Sequence, residues 1–232
     1  MKSGLLIRKM KYIRVTGGEP EGMGNMNMIK LQQITELAHH LAIPFIETGD
    51  RVVDATAGNG KDTLFLAEKV GSSGLVYAFD IQQEALKKTE DLLKKAGLSE
   101  RVKYFNDGHE KMIDYIDGPV NAVIYNLGYL PGGDHRVTTT RQKTEISFKQ
   151  ALTLLAPGGV IIVVLYPGHP EGREEKEMMM PLCRSLDPEH FSTIHLHLLN
   201  KVGTPPELIA VQKISSGPNN VAEKGIMHLY VE

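Results

Sequence analysis

Apolar residues recur at helical spacing through IKLQQITELAHHLAI, where Ile29, Leu31, Ile34, Leu37, Ala38 and Leu41 share a face, and Pro44 ends the run. The period then shortens. RVVD at 51–54 reads as a short buried strand, 62–70 as a helix and LVYAFD at 75–80 as a second strand. A helix over 83–96 carries Lys and Glu on its outer face and stops at Gly97. VKYFND (102–107) and VNAVIYN (120–126) are the third and fourth strands, with a short helix over 109–116 between them. A Gly- and Pro-rich loop follows, then a helix over 144–155, the very apolar strand GGVIIVVLY (158–166) and a helix over 173–186. The segments 191–200 and 206–213 alternate like strands and are joined without a helix, which predicts an antiparallel pair at one edge.

Strands that alternate with helices and are themselves almost continuously apolar predict a mostly parallel α/β sheet with both faces covered, here Rossmann-like and seven-stranded. The regular pattern occupies 28–213. Residues 1–27 are basic at the start, then rich in Gly and Met without periodicity, and are expected as a flexible extension or a basic arm. Residues 214–232 are expected as a second extension that adds at most a short strand at IMHLYV.

Composition narrows the function. The formal net charge of −2 gives no overall pull towards nucleic acid, so an RNA-binding surface has to be local. The single Cys183 excludes an internal disulfide and a cysteine metal cluster, and a reducing cytoplasm is the simplest setting. No apolar run approaches the roughly 18 residues of a membrane span. His39-His40 has no second ligand cluster, so no metal site is expected.

In such sheets ligands gather at the carboxyl ends of the strands. Those ends read Asp54-Ala-Thr-Ala-Gly-Asn-Gly, Asp80-Ile-Gln, Asp107-Gly-His, Asn126-Leu-Gly-Tyr and Tyr166-Pro-Gly-His169. The glycine turn is not a phosphate loop, because Asp62 stands where a magnesium-binding hydroxyl is needed and Ala55 where the first Gly belongs. It matches a dinucleotide fingerprint only in part, because Thr63 replaces the third Gly. An S-adenosylmethionine site remains. Backbone groups of Ala55, Thr56, Gly58, Asn59 and Gly60 can reach the amino-acid part, and Asp54 either sets the turn or binds the ammonium. Asp80 lies about 20 residues past Gly60, where a carboxylate accepts from ribose hydroxyls. Asp107, flanked by Gly108 and His109, can accept from the adenine amine. A nicotinamide cofactor would also use Asp80 but leaves Asp107-Gly-His unexplained.

The motifs D-A-T-A-G-N-G-x-D-T, F-D-I-Q, D-G-H, N-L-G-Y-L-P-G-G-D, L-x-P-G-G-V-I and Y-P-G-H-P-E-G resemble a bacterial family of small class I methyltransferases long labelled rRNA methylases. That family includes the enzyme that methylates the aminomethyl group of 5-aminomethyl-2-thiouridine at the tRNA wobble position. The resemblance spans about 28–213. It implies S-adenosylmethionine as cofactor and a pocket lined by Asn59, Asp62, Asp80, Gln82, Asp107 and His109, with Thr63 and Ile81 beside them. Asp62 also reads as an ordinary acid in a helix first turn. A homodimer is compatible with the resemblance.

Asn126-Leu127-Gly128-Tyr129 occupies the place where many amino-directed methyltransferases carry Asn or Asp, Pro, Pro and an aromatic; here Leu-Gly replaces Pro-Pro. Asn126 can accept the protons of an amine and aim its lone pair, or simply cap the strand. Tyr129 can stack on a base or pack. A proton acceptor could be His169, His109 or Asp134, although His109 could merely border adenine and His169 merely hold its loop. The stretch containing Arg136, Thr139, Arg141 and Lys143 follows the Gly-Gly loop and suits RNA phosphate, or else is a solvated loop with a helix cap. The anticodon region of tRNA is the expected substrate; rRNA and a small amine are the alternatives, and a non-catalytic binding module is a further one.

Overall fold

Alternate residues of the central strands are buried on opposite sides of one sheet. Val53, Tyr77, Val123 and Tyr125 belong to one core, while Val52, Val76, Ala78, Ala122 and Ile124 belong to the other. This is the period-two geometry of a strand covered on both faces. The structure is a computed structural model and describes residues 31, 33–128 and 138–215. The strands are β1 (Arg51–Asp54), β2 (Leu75–Phe79), β3 (Val102–Phe105), β4 (Val120–Asn126), β5 (Leu155–Leu165), β6 (Phe191–Leu196) and β7 (Glu207–Lys213). They form a single seven-stranded sheet in the order β3-β2-β1-β4-β5-β7-β6.

Strands β1 to β5 pair in parallel, and β7 runs antiparallel to both β5 and β6. The edge pair expected from the sequence is therefore present, with the later strand β7 placed inside and β6 outermost. Helices α1 (Ile34–Ala42), α2 (Lys61–Lys69) and α3 (Gln83–Lys95) cover one face through Ile34, Ala38, Leu66, Ala67, Leu86 and Leu93. Helices α4 (Arg141–Leu154) and α5 (Pro170–Arg184) cover the other through Phe148, Ala151, Met178 and Met179.

Several boundaries differ from expectation for local reasons. Pro44 does end α1, and the chain continues for one 3-10 turn, Ile43–Phe45, with the proline in its first turn where no N–H is required. The predicted short helix near 109 is also 3-10, His109–Asp114. Helix α4 starts three residues early because Arg141, Gln142 and Lys143 are exposed and carry no apolar signal. Helix α5 starts at Pro170, pre-shaped for a first helical position, and the His169 side chain caps it by accepting from the Gly172 N–H at 3.2 Å. Strand β5 begins at Leu155, directly after α4, and the nearly buried Lys213 ammonium donates to the Leu155 carbonyl at 2.9 Å.

Residues 1–30, the strand expected at IMHLYV, Tyr129, Asp134 and Arg136 lie outside the described residues. Among the described residues no helix is long and apolar enough to cross a membrane.

Candidate active site

The turn after β1 is built by its own polar groups. Asp54 is fully buried; its Oδ1 accepts from Thr56 N at 3.1 Å and its Oδ2 from the Thr63 hydroxyl at 2.5 Å. Ala55 N donates to Ile124 O and Ala57 N to Phe79 O, each at 2.9 Å, so the turn is laced to the ends of β4 and β2. Gly60 has φ +81°, and a Cβ there would lie 2.9 Å from the Thr89 Cα, which lets α3 pack against the turn. Asp54 and Thr63 thus set the turn from behind, and with Gly60 they stand outside the cavity wall.

Burial, and next the Asp62 charge, push the Asp54 carboxyl up to about 8, despite the Thr63 and Thr56 donors. Its folded value lies above the ordinary 3.8, so its contribution to stability is complete below 3.8 and is lost as pH rises through about 8. Asp54→Asn removes that ionisation. The melting temperature of D54N minus that of the native protein is expected to be more positive at pH 8.5 than at pH 4.5, by at least ~3 °C, which is about 1 kcal/mol for a domain of this size. A difference that stays flat in a thermal unfolding series would rule this out.

A cavity of about 650 Å³ runs along the strand ends. Its wall includes Ala55, Thr56, Gly58, Asn59, Asp62, Asp80, Ile81, Gln82, Asp107, Gly108, His109, Asn126, Leu127, Gly128, Thr139 and His169 from the sequence-derived candidates. Arg141, exposed on the first turn of α4, is not part of it. Sequence reasoning missed Thr35, Glu36 and His39 on α1, which also line it.

Asp80 accepts from Gly58 N at 2.9 Å through Oδ2 and from Gln82 N at 2.8 Å through Oδ1. Burial raises its carboxyl, and these two donors act against that rise. Its remaining lone pairs can face a ligand. Asp107 is a fixed anion: Lys111, the Tyr115 hydroxyl and the Gly108 N–H hold it down to about 2. Its carboxylate takes Tyr115 at 2.8 Å and Gly108 N at 2.8 Å, so most of its accepting capacity is spent within the protein.

His109 is 7% exposed and sits edge-on to Tyr125 at 5.7 Å. Burial pushes its imidazole down to about 4, so it is neutral at pH 7, and its buried Nδ1 has no hydrogen-bond partner among the described residues. A neutral ring with an orphaned nitrogen, in the same cavity wall as the half-exposed Ile81, suits a purine, so this part of the wall fits a nucleoside ligand.

At the other end, Asn126 N donates to Thr56 Oγ1 at 2.8 Å, and Asn126 Nδ2 approaches Asp62 Oδ2 at 3.4 Å. Tyr166 hydrogen-bonds the Asn126 side chain; burial first and the Asp62 charge second raise its hydroxyl. Asp62 Oδ1 lies 2.6 Å from His39 Nε2. Leu127 turns its side chain into the core, 1% exposed, leaving only its backbone for the cavity. Gly128 and Thr139 exchange two bonds, Thr139 N to Gly128 O at 3.1 Å and Gly128 N to Thr139 Oγ1 at 2.9 Å, which join the chain on either side of 129–137. His169 Nδ1 lies 3.2 Å from Gly172 N and 3.3 Å from Glu171 Oε2, so the cap of α5 and a carboxylate meet at one ring nitrogen. Lys143 pairs with Glu110 at 2.9 Å and Lys176 with Glu207 at 2.6 Å, so neither is a free phosphate anchor.

The strand order, the acidic strand ends and the glycine turn define a class I methyltransferase fold. A crystal structure of a putative rRNA-methylase from Clostridium thermocellum is 42% identical with a TM-score of 0.76, covering 78% of this chain and 97% of its own. A putative methyltransferase from Streptococcus mutans in complex with SAH is 34% identical with a TM-score of 0.72, covering 81% of this chain and 100% of its own. A chloroplastic tRNA (mnm(5)s(2)U34)-methyltransferase of Arabidopsis thaliana is 40% identical over 75% of this chain and 67% of its own. Residues 76–212 match the family described as "Putative rRNA methylase", and the chain belongs to that family.

Proposed function

We propose that this methyltransferase uses S-adenosylmethionine to N-methylate the aminomethyl group of 5-aminomethyl-2-thiouridine at the wobble position of tRNA. The observation that carries the substrate is the 40% identity to the Arabidopsis enzyme named for that nucleotide, across most of both chains. The site is compatible with it. A carboxamide, Asn126, stands between a carboxylate and a phenol at one end of the cavity, where an amine can be held by acceptors.

Bound S-adenosylmethionine supplies a methyl group already activated on a sulfonium. Asp80 would hold the ribose, Ile81 and His109 would border the adenine, and backbone groups of 55–59 would meet the amino-acid part. The protein then has to orient the amine, keep water out and remove a proton. Asn126 orients it, with its own backbone fixed on Thr56. Thr139 and Thr140, on the wall beside Gly128, and Arg136 are proposed to meet the RNA backbone. The proposal places the reaction where tRNA resides, in the cytoplasm for a bacterial-type chain, whereas the Arabidopsis relative is named chloroplastic. A homodimer belongs to the same proposal.

Nucleoside mass spectrometry after incubation with S-adenosylmethionine and tRNA lacking the terminal wobble methyl tests this reading. One methyl is expected on aminomethyl-thiouridine, and Asn126→Ala is expected to slow its appearance about 10²-fold by losing the orientation of the amine. Cofactor binding with no methyl on that nucleoside would sink the tRNA assignment. The family's description as rRNA methylases makes rRNA the next substrate to try.

A further inference from the structure

Helix α1 contributes nothing to the strand-end motifs, yet one of its side chains reaches the reacting end of the cavity. Ile34, Ala38 and Ala42 bury against the sheet, and the adjoining positions Thr35, Glu36 and His39 are left to face the strand ends. His39 is fixed twice. Its ring stacks on Phe65 with centroids 4.0 Å apart and planes 2° from parallel, and its Nε2 lies 2.6 Å from Asp62 Oδ1. The other oxygen of Asp62 is the one that approaches Asn126, so three side chains from α1, α2 and the end of β4 form one chain of contacts.

We propose that His39 is the catalytic proton acceptor for the substrate amine and that Asp62 positions it. This rests on the reading of the substrate as an alkylamine. A primary alkylammonium loses its proton only near pH ~10, so at neutral pH about one molecule in 10³ carries the lone pair that attack requires. Asp62 accepts from the Nε2–H of the neutral imidazole. That leaves the Nδ1 lone pair, which has no hydrogen-bond partner among the described residues. An N–H bond of the ammonium breaks, its electron pair stays on the amine nitrogen, and the proton moves to Nδ1. The amine pair then forms the bond to the methyl carbon while the carbon–sulfur pair withdraws onto sulfur. His39 afterwards returns its proton to water.

Other candidates are placed less well. His109 is held down at about 4 by its burial. His169 holds its Nδ1 against Gly172 N and Glu171 Oε2 at the start of α5. The ionisable groups around His39 are Glu36 on its own helix, Asp62 and Lys61 at the start of α2, and Tyr166 after β5. Strand β7 also packs on α1, but its Glu207 is engaged by Lys176 and His195.

The test is single-turnover methyl transfer by the full chain to tRNA bearing the aminomethyl group, followed between about pH 6 and 9, around imidazole ionisation. The native rate is expected to rise with pH less steeply than that of a variant without the imidazole. In His39→Gln the rate at pH 7 falls about 10²-fold and keeps climbing with pH towards the ionisation of the amine itself. His39→Phe, which keeps the stacking on Phe65 without a ring nitrogen, behaves the same way, and added imidazole restores part of the rate in both. Asp62→Asn gives a smaller loss with a displaced profile. Both His39 variants still bind S-adenosylhomocysteine by calorimetry, and their rates are compared at saturating cofactor. A His39→Gln enzyme with the native rate and profile overturns the proposal, as does a slow Asp62→Asn beside a normal His39→Gln. A native enzyme that binds the cofactor but leaves this tRNA untouched overturns the substrate reading first.

Discussion

Asp80→Ala is expected to abolish measurable methyl transfer and to weaken S-adenosylhomocysteine binding by 10²- to 10³-fold. Two charge-assisted hydrogen bonds to a ribose are worth roughly 3–4 kcal/mol together, the lower part of the range for such bonds. The loss extends beyond the ligand. Both carboxylate oxygens also accept from backbone N–H groups, one in the turn after β1 and one in the turn after β2, so Ala frees the Gly58 and Gln82 donors at once. The same geometry makes Asp80→Asn a poor substitute. Whichever oxygen the amide replaces, an NH₂ group then faces a backbone N–H. Isothermal calorimetry of both variants is the check, and native affinity in D80N would show that the loop does not depend on two acceptors.

Gly172→Ala is expected to destabilise the fold by about 3 kcal/mol, the upper end of the usual cost of overpacking. A Cβ at this position would fall inside contact distance of the Tyr166 carbonyl oxygen and 2.8 Å from its carbon. It would also lie 3.0 Å from the His169 ring. These are backbone atoms and the capping side chain of α5, and none can move aside alone. Relief has to come from shifting Tyr166, the partner of Asn126, so activity should fall further than stability does. Gly168→Ala is the contrast, because its Cβ would meet only the Thr204 hydroxyl at 3.3 Å and the Thr204 carbonyl oxygen at 3.7 Å. Urea unfolding of the two variants separates them. A G172A midpoint matching that of G168A would mean that the approach to Tyr166 is not rigid.

The fold was legible wherever a segment buried one consistent side. Strands β1 and β4 have the bounds that the apolar runs predict, and the strand-end rule collected Asp80, Asp107, His109 and Asn126 at one cavity. Helix starts were less legible. At α4 the opening turn is solvated, and at α5 a proline stands where periodicity gives no vote. Asp54 and Thr63 illustrate another limit. A polar residue in a binding motif reads the same whether it faces a ligand or braces the turn from behind, and only burial separates the two. His39 had no sequence signal beyond its place beside Ala38 on an amphipathic helix. What brings it to Asp62 is the way α1 lies across β5 and β7, a tertiary relation that no local pattern encodes.

The placement of β7 also bears on how this chain is made. Strand β6 leaves the ribosome before β7, yet among the described residues β7 is its only neighbour in the sheet, and β7 is also the strand that covers the open side of β5. Strands β1 to β5 can pair in the order of their synthesis, whereas 191–196 must wait with both edges bare. During that interval Phe191 and Ile194 are exposed on an unpaired strand, the kind of segment that invites chaperones or aggregation. A slow codon run or a mutation that delays 207–213 should therefore cost yield of soluble protein well before it costs activity per molecule.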